Sequence, residues 1–131
     1  MFDERNFDII VAKSVFTHLL PDEFDLYLRA VSDRLKPGGK ALLTFFLLHD
    51  KQKRMAEAGH NQLKFHKLGG DAPCSVRRTM APTAAVAYET NYVLNRMKEC
   101  GMVVDEKALH YGAWSGIQDG LSFQDIIVVT R

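Results

Sequence analysis

The sequence predicts an α/β fold: one domain built on a parallel βαβ unit and closed by an antiparallel strand pair. Three observations point there. The run Phe7 to Ala12, FDIIVA, is apolar without polar alternation, a stripe of apolar residues at helical spacing follows it, and a second apolar run, KALLTFFLL, comes directly after Pro37-Gly38-Gly39. A strand that is apolar on both sides is the kind expected of a parallel sheet covered on both faces, so Phe7 to Ala12 is expected inside a sheet.

From Pro21 onward, Phe24, Leu28, Val31 and Leu35 recur with helical period. Asp22, Glu23 and Asp25 crowd the first turn, and Arg34 and Lys36 the last, each sign placed where the helix dipole favours it. Pro37-Gly38-Gly39 stops the helix, and the apolar run from about Lys40 to Leu48 reads as the next strand. With connections this short, strand, helix and strand make a right-handed crossover between parallel neighbours.

Residues 49–89 have no sustained period, and Gly69, Gly70, Pro73 and Pro82 interrupt them. So long an irregular stretch in a compact domain predicts a lid-like or binding loop, or disorder. Helical spacing returns at Val93, Met97 and Cys100, with Thr90 as the expected cap and Gly101 as the C-terminal stop. MVVDEKALHY and SFQDIIVVTR then read as two strands joined by the glycine-rich GAWSGIQDGL, which suits an antiparallel pair.

The 131 residues suffice for one core of ordinary size and not for two. Seventeen basic against sixteen acidic residues leave a net charge of +1, so no global field draws the chain to nucleic acid or to an anionic membrane. Cys74, in a loop-like stretch, and Cys100, on an apolar helix face, form neither a metal spacing nor a disulfide framework, as expected in a reducing compartment. MFDERNFD carries charges where a signal peptide needs an apolar core, and no apolar run reaches the length of a membrane span. A cytoplasmic protein is expected.

FDIIVAKSVFTHL followed by LKPGGKALLTFF resembles the middle of the class I S-adenosylmethionine-dependent methyltransferases. Members of that family show an F-D-hydrophobic strand, a loop ending in H-L, and a helix closing in L-K-P-G-G before the next strand. Each piece is weak alone, but their order and spacing together are specific, and the helix, glycine, strand, loop and FQDIIVVTR that follow continue the same layout. The resemblance implies a partial Rossmann-like, three-layer sheet. Of the family order 3-2-1-4-5-7-6, this chain matches strands 4-5-7-6, the last strand antiparallel, as a single partial domain over residues 1–131. The family's glycine-rich turn after strand one, and the acid after strand two that holds the ribose hydroxyls, have no counterpart among these residues.

What the resemblance leaves of the S-adenosylmethionine cleft is the loop Ala12, Lys13, Ser14, Val15, Phe16 and His18, at the carboxyl end of a strand, where open parallel sheets place ligands. His18 suits either a base or cleft contact, or a hydrogen bond that fixes the loop, and the second role asks less of it. KPGGK follows a helix and lacks the Lys-Ser/Thr of a phosphate loop, so it reads as a helix stop. Arg77 and Arg78 could grip an anionic group of a substrate or stand in solvent, and Trp114 could line a substrate pocket or pack over a turn. His60 and His66 have no partners at ligand spacing, so no metal site is expected.

The function implied is methyl transfer to a small-molecule acceptor by a larger domain of which this is the C-terminal part. The cofactor should bind weakly or not at all to this part alone. The alternative is a non-enzymatic module that dimerises or binds a partner chain. Either way the strand Phe7 to Ala12 would present an unpaired edge, which implies a homo-oligomer, most simply a two-fold dimer.

Overall fold

A computed structural model describes residues 7–131. Of the charged N-terminal stretch, all but Phe7 and Asp8 lies outside the described residues. The first strand, β1 (Phe7–Ala12), is followed by a 3-10 turn at Phe16–His18 and the helix α1 (Pro21–Arg34). Pro21 sits in the first turn of α1, where its missing N–H costs nothing, and Asp22, Glu23 and Arg34 occupy the ends that suit their charge. The strand β2 (Leu35–Phe45) begins at once, which corrects the expected helix stop: α1 already ends at Arg34, and Pro37-Gly38-Gly39 lie within the strand. Gly38 takes a φ of +81°, and a Cβ at Gly39 would stand 2.9 Å from the carbonyl oxygens of both Phe7 and Lys36. The glycine pair thus turns the chain and lets β1 close against β2.

The βαβ expectation holds. β1 pairs with β2 in parallel, with Ile10 opposite Ala41 and Val11 opposite Leu42. The last two strands, β7 (Val103–His110) and β8 (Asp125–Thr130), pair antiparallel, and β8 also lies antiparallel to β2. The sheet order β1-β2-β8-β7 is the 4-5-7-6 order that the resemblance implies.

Ala41, Leu43 and Phe45 from β2, with Ile127 and Val129 from β8, enter one core with Phe24, Leu28 and Val31 of α1 and Val93 and Met97 of α3 (Thr90–Glu99). Both long helices therefore cover the same face. Of the three layers implied, the described residues supply the sheet and one helical layer. This corrects the expectation that β1 is buried on both sides. It is an edge strand, and Ile9 and Val11 are 72% and 64% exposed because no described element covers their face.

The ends of α3 differ in part from expectation. Gly101, at φ +80°, closes the helix as predicted, with the Met102 N–H donating to the Met97 carbonyl and the Gly101 N–H to that of Lys98. Thr90 does not cap. It is the first helical residue, and its hydroxyl donates to the Leu48 carbonyl at 3.0 Å. The helices are tied by Arg96 Nε, 2.8 Å from Asp25 Oδ1, and by the Ser32 hydroxyl donating to the Cys100 carbonyl.

The apolar run 40–48 does not stay in one strand. At Phe46 the chain leaves the main sheet, and β3 (Leu47–Leu48) joins a second, smaller sheet. Residues 49–89, read as an irregular stretch, hold α2 (Asp50–Glu57) and the strands β4 (His66–Lys67), β5 (Cys74–Val76) and β6 (Val86–Glu89), in the order β3-β6-β5-β4. One face of this sheet, through Cys74, Val76, Val86 and Tyr88, closes the main core, and the other packs Phe46, Leu48, Ala85 and Ala87 around Trp114 in a second core. Cys74, expected in a loop-like stretch, is buried in β5, and Cys100, expected on an apolar helix face, is half-buried at the end of α3.

Candidate functional site

The loop after β1 is held from three sides. Ser14, the one non-glycine residue with positive φ among the described residues, adopts φ +58°, a left-handed conformation whose backbone cost its surroundings must offset. They do: the Ser14 N–H donates to Thr44 Oγ1 at 2.9 Å, and the Thr44 hydroxyl donates to Gln124 Oε1 at 2.6 Å. Gln124 Nε2 in turn donates to Ser14 Oγ at 3.0 Å. The carboxyl end of β1 is thereby pinned to β2 and to the residue before β8. Thr44 and Gln124 carry no motif, and sequence reading does not find them.

Beyond Ser14 the loop turns inward. Phe16 is fully buried against Phe24 and Phe45, with ring centroids 5.2 Å away in each case, so it anchors the loop and does not face a cleft. Val15 is half-buried beside the same core, and Lys13 and Ser14 remain exposed. His18 is exposed, and its Nδ1 lies 2.9 Å from the Thr83 carbonyl. Since a carbonyl only accepts, Nδ1 carries the proton, and in the neutral ring Nε2 is left as the acceptor. This contact is of the kind that fixes a loop, and it also leaves one nitrogen able to take a proton.

Thr83 belongs to the connection between β5 and β6, which begins with Arg77 and Arg78. Both guanidinium groups are exposed, and the Arg77 backbone N–H donates to the Ala85 carbonyl. The arginines and His18 thus meet the same short connection, a juxtaposition that sequence order does not announce.

Trp114 lies elsewhere. It is fully buried in the second core, edge-on to Phe46 and Phe65, so the structure supports the packing alternative and not a pocket wall. Its indole N–H donates to Asp125 Oδ2 at 2.8 Å. Asp125 is itself fully buried and accepts from the Leu47 and Gly112 N–H groups at 2.6 Å each. Burial pushes its carboxyl up to about 6, although the three donors pull the other way. The acid stands opposite Phe45 in the β2–β8 register, where the chain leaves the main sheet, and it receives the N–H that the departing strand can no longer pair. An acid heading an apolar strand, DIIVVT, is the sequence signal that could have revealed it.

His49 was equally unforeseen. Its ring lies tilted by 30° against that of Tyr111, with centroids 4.0 Å apart, and its Nδ1 accepts the Gln52 N–H at the start of α2. Burial, then the charge of Lys51, lowers its pKa; because Nδ1 is the acceptor, the neutral ring carries its proton on Nε2, which is buried without a partner among the described residues. His60 and His66 are exposed, and the described residues contain no group of three potential metal ligands. No described helix is long and apolar enough to cross a membrane.

No protein-family profile matches the sequence. Solved structures do match the fold. One is the 1,6-didemethyltoxoflavin-N1-methyltransferase of Burkholderia thailandensis, solved with 1,6-didemethyltoxoflavin and S-adenosylhomocysteine bound. It aligns over 100% of this chain and 46% of its own, at TM-score 0.58 and 10% identity. A SAM-dependent methyltransferase of Methanosarcina mazei aligns over 99% and 61%, at 0.57 and 18%. The glycopeptide N-methyltransferase MtfA, solved with S-adenosylhomocysteine, aligns over 99% and 56%, at 0.55 and 17%. The chain spans about half the length of these enzymes. Its fold is that of the class I S-adenosylmethionine-dependent methyltransferases.

Proposed function

We propose that this chain is the C-terminal part of an enzyme that transfers a methyl group from S-adenosylmethionine to a small-molecule acceptor, and that by itself it is inactive. The observation that carries this reading is the Ala12 to His18 loop, which is held in a costly conformation at the carboxyl end of a parallel strand. Ser14 is kept left-handed by its hydrogen bonds with Thr44 and Gln124, beyond the anchor that Phe16 gives the segment, and such conformations cluster at ligand sites.

When bound, the cofactor supplies an electrophilic methyl on a sulfonium, so the protein's task is to place a nucleophile in line with it and, where needed, to take a proton. Ala12 to Val15 would form one wall of the cofactor cleft, with the backbone at Lys13 and Ser14 open to it. His18 Nε2 is the group there that can accept a proton. Arg77 and Arg78, in the connection that His18 touches, would meet an anionic part of the acceptor, and residues 49–89 would cover it as a lid. The free thiols of Cys74 and Cys100 accord with a cytoplasmic location.

A second reading has its own support. Ile9 and Val11 stand exposed on a strand whose outer edge no described strand pairs. A half-sheet that associates through this edge, as a homodimer or with a partner chain, could work without any chemistry.

The deciding experiment determines the N-terminus of the native polypeptide by intact mass and assays that polypeptide for transfer of a labelled methyl group. A longer protein that transfers methyl supports the first reading. A native start at Met1 with no transfer supports the second.

A further inference from the structure

We infer that the cleft between α2, residues 59–67 and the small sheet is a further small-molecule site, apart from the connection that carries Arg77 and Arg78, and that it takes a compact aromatic acid carrying a second N–H or O–H donor. Its lining holds none of Ala12 to His18, Arg77 or Arg78, so the binding chemistry stands on the cleft itself and not on the methyl-transfer reading.

The cleft holds about 460 Å³, within the roughly 300–1,000 Å³ range of small-molecule sites. Its walls divide by chemistry. Leu48, Leu63 and Phe65 give it an apolar side that continues into the second core, suited to the face of a ring. Three lysines line it against a single carboxylate. Lys53 is already matched, its Nζ 3.1 Å from Glu89, whereas Lys64 and Lys67 are exposed and have no ion-pair partner among the described residues. The unmatched charge calls for an anion.

The second feature is buried. Gln52 is 5% exposed and lines the cleft, and its Oε1 has no hydrogen-bond partner among the described residues. The orientation of that amide is fixed from outside. Asn61 Nδ2 donates to the carbonyls of Ser115 and Gln52, so Asn61 Oδ1 is an acceptor, and Gln52 must turn its Nε2 toward it, at 2.7 Å. Its carbonyl oxygen is therefore an acceptor left over, and a buried acceptor without a donor is unfavourable. That oxygen is closed to solvent in this structure, so a hydroxyl or amine on the ligand would satisfy it on a small shift of the Gln52 side chain toward the cleft. Ring, anion and donor together define the class.

Calorimetric titration with 4-hydroxybenzoate tests this, with benzoate, which lacks the donor, and 4-hydroxybenzamide, which lacks the charge, as comparators. The expected result is saturable binding of 4-hydroxybenzoate at one site, about tenfold weaker binding of each comparator, and a further loss of about tenfold for 4-hydroxybenzoate in the Lys64→Ala/Lys67→Ala double variant. Gln52→Met should erase the preference over benzoate, and if that variant does not fold, the wild-type comparison carries the same information. Equal binding of all three compounds, no saturation at millimolar concentration, or binding indifferent to the two lysines overturns the inference. The titration needs no cofactor, so its failure is distinct from that of methyl transfer.

Discussion

The two sheets of this molecule meet at Phe46 and are held by different physics. The main sheet, β1-β2-β8-β7, rests on burial: alternate side chains of β2 and β8 and the inner faces of α1 and α3 form one continuous apolar core. The small sheet, β3-β6-β5-β4, has strands of two to four residues, too short to stand alone, and its far side depends on a compact second core around Trp114. That core is tied to the main sheet by one buried carboxylate, Asp125, which satisfies donors from β3, from the loop after β7 and from the indole itself. Elements that carry their own apolar pattern are robust and readable, whereas elements assembled around one polar residue are neither.

The comparison can be broken most directly at Asp125. Asp125→Ala would leave three donors, two of them backbone N–H groups, without their acceptor, and should cost about 4 kcal/mol. Urea unfolding measures the loss, and hydrogen exchange should find the Leu47 and Gly112 amides opening before those of β2. A cost below about 1 kcal/mol would mean that the small sheet stands on apolar packing after all.

The same residue sets a pH dependence. Its folded-state value of about 6 lies above the ordinary 3.8, so the folded protein holds this proton more tightly than the unfolded chain. Ionising it therefore costs stability as the pH rises from about 4 to about 6, by about 2 kcal/mol across the window. Measured against Asp125→Asn, wild-type stability should fall over that range. A relative rise would show that the three donors outweigh burial.

Gly101→Ala probes the main sheet's helical cover. At φ +80° an alanine is strained, and the expected cost is about 1 kcal/mol by thermal unfolding, with the small sheet unaffected. The smallest effect on stability belongs to Ile9→Lys. Ile9 is exposed, so folding should change by less than about 0.5 kcal/mol. Its effect should appear in light scattering as loss of association through the β1 edge. An unchanged association state would show that this face is not an interface.

These contrasts explain what was legible. The FDIIVA strand, the stripe through Phe24, Leu28 and Val31, the glycine stop at Gly101 and the closing antiparallel pair all advertise themselves by period or by backbone need, and each is found in place, whereas Gly38, read as a helix stop, lies inside β2. By contrast α2, DKQKRMAE, buries Gln52 alone and so shows no apolar stripe, and β4, β5 and β6 are too short to show alternation. Exposure of Ile9 and Val11 escaped the reading of their own run because it depends on what lies beside the strand and not on the strand. In the candidate site, the loop's position follows from the βαβ unit. Its fixing partners, Thr44 and Gln124, lie 30 and 110 residues from Ser14, and ordinary polar residues at such separations give no local signal.

The central claim is that this chain holds one wall of a methyltransferase cofactor cleft. Calorimetric titration of the isolated chain with S-adenosylhomocysteine tests it most directly. One wall, without a glycine-rich turn or a ribose-binding acid, should give no saturable heat up to about 100 μM ligand. Saturable binding at low micromolar concentration, worth about −8 kcal/mol, would mean that these residues form a sufficient site by themselves or as a pair, and would contradict the account.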